Sequence, residues 1–144
     1  MARVNLTSTV KTWCKDICNE VLRTRQRTGA YNGVRDYPGA AVVAADSQLT
    51  FSGRGRSSKP LFMEYYDTPK LENKMKSLGK IGSVRQACNN PIGACAEPHA
   101  AHRVLSHFGT KMSLNQVVFS IAYRPRTREV VDYCQNCKDT FPNL

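Results

Sequence analysis

The sequence predicts a layered α/β domain in which helices pack against a central sheet, and three observations lead to this fold class. The chain has 144 residues, which suits a single domain over residues 1–144 with its own hydrophobic core. Residues 8–28 carry apolar side chains at three- and four-residue steps, the spacing of an amphipathic helix. Residues 115–123 are nearly continuous in apolar character, as expected of a strand covered on both faces.

The first predicted element is the helix over residues 8–28. Ser8 is a suitable N-cap, and Gly29 is a suitable stop. Cys14 and Cys18 lie one turn apart on its apolar face, where thiols are more often core residues than metal ligands. We therefore expect this helix to bury its cysteines against the sheet.

A hairpin is predicted next, with strands over residues 40–45 and 48–52 on either side of a turn at Asp46. The stretch GRGRSSKP, residues 53–60, contains two glycines and three basic residues and is predicted to be a flexible basic loop. Residues 61–66 fit either a short strand or the start of a helix.

The second half of the chain is predicted to contain three helices. One covers residues 71–78 and ends at Gly79, after which residues 81–93 form a loop broken by Gly and Pro. Another begins near Ala96, because Pro98 is tolerated only in a first turn, and ends at Gly109. A short strand over residues 130–133 then precedes a single C-terminal helical turn.

The charge of the chain favours acidic partners. Lys and Arg number 21 against 11 Asp and Glu, a net charge of +10, which is typical first of nucleic-acid binding and second of contact with anionic membranes. Basic residues cluster at 23–27, 54–59 and 124–128, and Tyr123 and Tyr133 near the third cluster add the stacking faces that single strands use. No apolar run reaches the ~18 residues of a membrane span. No signal peptide is evident, so export would need a parent polypeptide or dedicated machinery.

Two short stretches carry the chemistry, GACAEPHAAH from Gly93 and DYCQNCKD from Asp132. Cys95 falls at a helix start, where the helix dipole favours the thiolate. Cys134 and Cys137 have the spacing of a metal or redox pair. Three converging thiolates would give zinc an open fourth position, the arrangement of catalytic zinc, and Glu97 could take a proton from water there.

The pair CAEP, residues 95–98, and CQNC, residues 134–137, resembles the zinc-dependent cytidine deaminase-like superfamily. The resemblance implies a three-layer α/β/α fold with a mixed central sheet. It also implies Zn²⁺ held by Cys95, Cys134 and Cys137, and Glu97 as the catalytic proton shuttle. Tyr133 stands where the family usually has Pro. Typical members continue well beyond the second motif, so we expect a sheet that is reduced, or completed by other segments or a parent protein.

Within that superfamily, the small basic chain is similar to the deaminase domains of bacterial polymorphic toxins. The resemblance implies a secreted or injected effector that acts in the cytoplasm of a target cell and is restrained by an acidic immunity protein. Cytosine in single-stranded DNA or RNA is the expected substrate, with adenine or free nucleosides as alternatives. Candidate substrate contacts are Asn89, Asn90, Tyr123, Arg124, Arg126 and Arg128.

Two other interpretations stay open at this point. His99 could complete a closed Cys₃His zinc site, in which case Glu97 is a solvated helix residue and the protein is a structural-zinc nucleic-acid-binding module. A redox C-x-x-C pair would leave Cys95 and Glu97 without a role. His102 and His107 are expected to be surface or packing residues.

Overall fold

The computed structural model describes residues 3–28, 37–58 and 65–144. It confirms the α/β class. In chain order the elements are α1 (Leu6–Thr28), β1 (Ala41–Asp46), β2 (Ser52–Arg56), α2 (Pro69–Leu78), α3 (Ala96–Phe108), a 3₁₀ turn (Leu114–Gln116), β3 (Val117–Phe119), β4 (Ala122–Tyr123), β5 (Val130–Val131) and α4 (Gln135–Thr140).

The sheet has five strands in the order β2-β1-β4-β5, and β3 also pairs with β1. Every pairing in the described part of the chain is antiparallel. The mixed sheet that the resemblance implied is therefore not observed. Tight connections account for two of the pairings, β1 with β2 and β4 with β5. Strands β3 and β4 also run antiparallel to β1 after the chain has passed through α2 and α3.

Helices cover both faces of β1, whose six residues are all buried. Val42 and Ala44 belong to the main core together with α3, whereas Ala41 packs with Cys14 and Ile17 of α1. Because side chains alternate along a strand, α1 and α3 lie on opposite faces of the sheet. The expectation that Cys14 is a core residue is confirmed, since it is fully buried.

The predicted strand over residues 115–123 is two strands separated by a bulge. Ala44 pairs with Phe119 but Ala41 pairs with Tyr123, so β3 and β4 hold one residue more than the β1 segment they face. Ser120 compensates for the extra residue: its N–H donates to the Val43 carbonyl (2.8 Å), and its hydroxyl oxygen accepts from the Val43 N–H (3.0 Å). The prediction of one unbroken strand was wrong, because a side chain replaces a backbone partner.

The hairpin was predicted with its second strand four residues too early. The carboxylate of Asp46 accepts hydrogen bonds from the Thr50 N–H (2.9 Å), the Thr50 hydroxyl (2.8 Å) and the Phe51 N–H (2.9 Å). These bonds fold residues 47–51 into a loop around the end of β1. The second strand therefore begins only at Ser52, inside the stretch that was expected to be a flexible loop.

The glycines of β2 allow a close approach to α3. A Cβ on Gly55 would overlap the Ala96 carbonyl oxygen and lie 2.5 Å from the Ala100 nitrogen, and one on Gly53 would lie 2.6 Å from Arg103 Cβ. Glycine marks strand positions that touch another backbone as well as loops. The pattern GRGR predicts a flexible loop, and this prediction is wrong because its glycines pack against α3.

The arginines of β2 point to the opposite face, toward α1. Arg54 pairs with Asp16 (3.0 Å) and Arg56 with Glu20 (3.3 Å). Trp13 donates from Nε1 to the Gly55 carbonyl (2.9 Å). Alternate positions of this strand thus contact a helix backbone on one face and a charged helix surface on the other.

Other element boundaries differ by a few residues. Helix α1 begins at Leu6 rather than Ser8, because the Asn5 side chain accepts the Ser8 N–H (3.0 Å) and so caps the helix earlier. The Gly109 C-cap is confirmed, with its N–H donating to the Leu105 carbonyl (2.8 Å). Strand β5 is shorter than predicted. Gly29, Lys59 and residues 61–64 lie outside the described residues.

No described helix combines the length and apolar character that crossing a membrane requires.

We predict that Gly55→Ala lowers the free energy of unfolding by about 1–3 kcal/mol, because the added methyl group meets backbone atoms of α3 that cannot rotate away. Urea unfolding followed by circular dichroism measures the change. Gly39→Ala is the control, since its Cβ would lie 3.6 Å from the Ser57 hydroxyl, an ordinary contact. Equal stability of Gly55→Ala and the native chain would contradict the close packing described here.

Candidate metal centre

Two helix starts bring the three cysteines together. Cys95 is the N-cap of α3 and Cys134 is the N-cap of α4, and their backbones are nearly the same (φ −70°, ψ 161° and φ −74°, ψ 164°). Cys137 follows one turn later and is buried. Helix N-termini favour negative charge, so both ends stabilise thiolates at this point.

The three sulfurs form one compact group, all within 4.8 Å of one another. Cys95 Sγ lies 3.1 Å from Cys134 Sγ, which lies 3.5 Å from Cys137 Sγ. Tetrahedral Zn–S bonds of about 2.3 Å place sulfurs about 3.8 Å apart, so shifts of less than about 1 Å would accommodate a metal ion. No disulfide involves them, and the three cysteines could hold a metal ion.

The cluster favours one shared thiolate. Hydrogen bonds from Cys137 and Cys95 lower the pKa of Cys134. The same hydrogen bond between Cys137 and Cys134 raises the pKa of Cys137. A bound cation would displace the protons that remain, because only thiolates are good metal ligands.

Glu97 is a buried carboxylate beside this cluster. Its side chain is 4% exposed, and Oε2 has no hydrogen-bond partner in the part of the chain that the structure describes. Burial raises its pKa to about 7, and the negative charge of Cys134 acts in the same direction. An unsatisfied buried carboxylate oxygen is rare in a folded protein and needs an explanation. A cation at the sulfurs and a polar ligand beside it would supply both a counter-charge and a partner.

Two of the three cysteines, Cys95 and Cys134, line a cleft of about 370 Å³ together with Glu97. That volume lies within the range of small-molecule sites, about 300–1,000 Å³. Cys95, Glu97 and Cys134 form one wall. The remaining polar lining residues are Ser57, Ser58, Asn90, Arg124 and Asp132.

Asn136, inside the C-x-x-C stretch, ties the second motif to the loop before the first. It is 4% exposed, donates from Nδ2 to the Asn90 carbonyl (2.8 Å), and accepts from Arg85 Nε (2.6 Å). Arg85 also pairs with Asp139, and the Asn90 side chain hydrogen-bonds Cys134. Sequence reasoning missed Arg85 and Asn136, because residues 51 positions apart give no local signal of contact.

The structure separates the predicted substrate contacts into three pairs. Asn90 and Arg124 line the cleft, but Asn89 and Arg126 are exposed and do not. Tyr123 and Arg128 line another pocket, against α1. The separation arises because Tyr123 belongs to β4, where its side chain packs with the core residues of α1.

His99 is directed away from the sulfurs. Its Nε2 lies 3.1 Å from the Ser58 hydroxyl, its ring packs near Tyr65, and it is not part of the group of potential ligand atoms. This geometry does not support a closed Cys₃His site. His102 contacts Thr68 and Asp67, and His107 stacks on Phe51, so both have packing contacts, as expected.

Tyr133 anchors the chain where α4 begins. Tyr133 directly precedes Cys134, and its hydroxyl donates to the Ser120 carbonyl at the bulge (2.6 Å). This bond restrains the backbone just before the second motif. A proline at this position would restrain the same backbone through its ring.

Comparisons with protein-family models, curated protein sequences and solved structures found no match to this chain. The interpretation of the site therefore depends on the geometry of its residues.

We predict that one metal ion binds per chain and that Cys134→Ser weakens metal binding by more than about 100-fold. This loss exceeds the one expected from a residue that only hydrogen-bonds to a metal ligand. Elemental analysis and competition with a chromophoric chelator measure stoichiometry and affinity. Cys88→Ser is the control, since Cys88 is a half-buried thiol outside the cluster. Full metal content in Cys134→Ser, or equal loss in Cys88→Ser, would contradict the assignment.

Proposed function

We propose that this chain is a zinc-dependent hydrolytic deaminase of a nucleobase, with cytosine in single-stranded DNA or RNA as its substrate. The observation that carries the proposal is the unsatisfied Oε2 of buried Glu97, next to three converging sulfurs and on the wall of an open cleft. A structural zinc site has no need of a buried carboxylate beside it, whereas a hydrolytic site needs a group that transfers protons.

The donor set suits zinc. Among the described residues no fourth protein ligand joins the three thiolates, an arrangement that matches a catalytic zinc site, and soft sulfur ligands favour zinc over magnesium or calcium. Held by Cys95, Cys134 and Cys137, Zn²⁺ would supply a Lewis acid that makes water easier to deprotonate.

Glu97 performs the proton transfers in this proposal. Deamination replaces the exocyclic amine of the base with a carbonyl oxygen from water and releases ammonia. Glu97 Oε2 accepts a proton from the attacking water and passes it to the ring nitrogen N3 of the base. It then carries the second water proton to the departing amine, so the carbonyl forms and the carboxylate is regenerated in each cycle. Glu97 lies in the buried first turn of α3, which restrains its side chain and limits competing hydrogen bonds with bulk water.

The lining of the cleft supplies groups that could orient a base. Arg124 and Asp132, which follow β4 and β5, provide charges of opposite sign, and Ser58 and Asn90 provide hydroxyl and amide groups. The net charge of +10 favours a polynucleotide over a free nucleoside. A single strand presents its bases without the cost of flipping them from a duplex.

The biological setting that fits this chemistry is that of a toxin. A deaminase of nucleic acid is harmful to the cell that makes it, so the proposal includes delivery into a target cell and an acidic inhibitor protein that covers the basic surface. These elements follow from the resemblance of CAEP and CQNC to toxin-type deaminases.

We predict that Glu97→Gln lowers kcat on a cytosine-containing oligonucleotide by about 10²–10⁴-fold, because the amide keeps the shape but transfers no proton. Zinc content should stay at one ion per chain. Sequencing of the oligonucleotide for C-to-T changes and measurement of released ammonia provide the readouts.

Glu20→Gln is the matched control, an exposed carboxylate on α1 that should retain full activity. Deamination by Glu97→Gln at the native rate would contradict the proposal, as would loss of its zinc. A native chain that binds zinc and single strands but deaminates nothing would instead indicate a nucleic-acid-binding module.

A further inference from the structure

A second pocket, of about 240 Å³, lies between α1 and the β4–β5 turn, against the face of the sheet that α1 covers. It is lined by Lys11, Cys14, Lys15, Tyr123 and Arg128. Cys14 is fully buried and Tyr123 half-buried, whereas the three cations are exposed. The pocket therefore has an apolar and aromatic base with a positively charged rim.

The acidic residues of α1 do not neutralise this rim. Asp16 and Glu20 are the only acids in α1, and they pair with Arg54 and Arg56 on the flank toward β2. The pocket is on the other flank of the helix, and no carboxylate is among its lining residues in the described chain. The acids and these lysines of α1 therefore lie on different flanks of the helix. At the pocket this leaves an excess of three positive charges, from Lys11, Lys15 and Arg128.

A single turn connects this pocket to the cleft. Arg124 lines the cleft and Arg128 lines the pocket, and the Arg128 N–H donates to the Arg124 carbonyl (2.9 Å). Arg126 is exposed between them. A polyanion that enters the cleft can therefore continue across this turn to the second pocket. The one acidic residue of the turn is Glu129, and it pairs with Arg124 (3.6 Å).

We propose that Lys11, Lys15 and Arg128 form a phosphate-binding site for the backbone of the single-stranded nucleic acid whose target base occupies the cleft. The proposal rests on the proposed action on a polynucleotide, and it adds α1 to the binding surface. Flexible lysines beside an arginine contact phosphates without reading sequence, so the site would provide affinity and register for any base sequence.

The contribution of these cations to the binding affinity can be calculated from counterion release. On single strands each neutralised phosphate contributes a slope of about −0.7 to the dependence of log K on log[salt], or about fivefold in affinity at 0.1 M salt. Loss of two lysine contacts should then weaken binding about 25-fold and reduce the slope by about 1.4.

The test compares Lys11→Gln/Lys15→Gln with Lys80→Gln/Lys111→Gln, which removes the same charge from exposed positions elsewhere. Fluorescence anisotropy of a labelled single-stranded oligonucleotide, titrated with the full chain between 0.05 and about 0.3 M salt, gives affinity and slope. The assay needs no turnover, so it reports on the pocket whether or not the chain deaminates. Thermal melting monitors folding.

The expected result is about 25-fold weaker binding with a shallower slope for Lys11→Gln/Lys15→Gln, and a change of less than about threefold for the control pair. Equal losses in the two variants would overturn the proposal in favour of nonspecific charge, and unchanged binding would remove the pocket from the interface. Phosphatidylserine vesicles and inorganic phosphate at constant ionic strength are the other probes. If the α1 lysines affect binding of these probes and not of the oligonucleotide, the phosphate site serves a membrane or a free ion and the proposal fails.

Discussion

The contact between β2 and the first turns of α3 determines the rest of this structure. Gly55 has no side chain where the Ala96 carbonyl and the Ala100 N–H approach it, so strand and helix pack backbone against backbone. Trp13 donates to the Gly55 carbonyl from the other helix and holds the same strand from the opposite face. Because Cys95 and Glu97 flank Ala96, this contact fixes the depth at which a thiol and a carboxylate enter the core.

The site carries an energetic cost that its chemistry explains. A buried polar atom without a partner destabilises a fold by about 1–3 kcal/mol, and Glu97 Oε2 is such an atom. Three ionisable sulfurs within 4.8 Å of one another add a second cost, because neighbouring thiolates repel one another. In the proposed deaminase a cation at the sulfurs and a polar substrate beside Glu97 would offset both costs, so binding would stabilise the folded chain.

Local patterns predicted much of the structure, and tertiary contacts account for the errors. Apolar periodicity gave α1 and α3, and the positions of Pro98 and Gly109 gave the ends of α3, because these signals act within one or two turns. The three cysteines were correctly expected to converge. Local patterns did not reveal the roles of Ser120, Arg85 and the glycines of β2. Each of these residues acts through a contact with a partner distant in sequence. Tyr123 is predicted as a substrate contact, and its packing against the core residues of α1 follows from strand alternation in β4.

The proposed deaminase requires an open three-sulfur zinc site beside a buried carboxylate. X-ray absorption spectroscopy at the zinc edge of the zinc-loaded chain tests it most directly. We expect three Zn–S distances of about 2.3 Å and one lighter atom at about 2.0 Å, without the outer scattering of an imidazole ring. A fourth sulfur, or a histidine in the coordination shell, would describe a closed structural site and contradict the account.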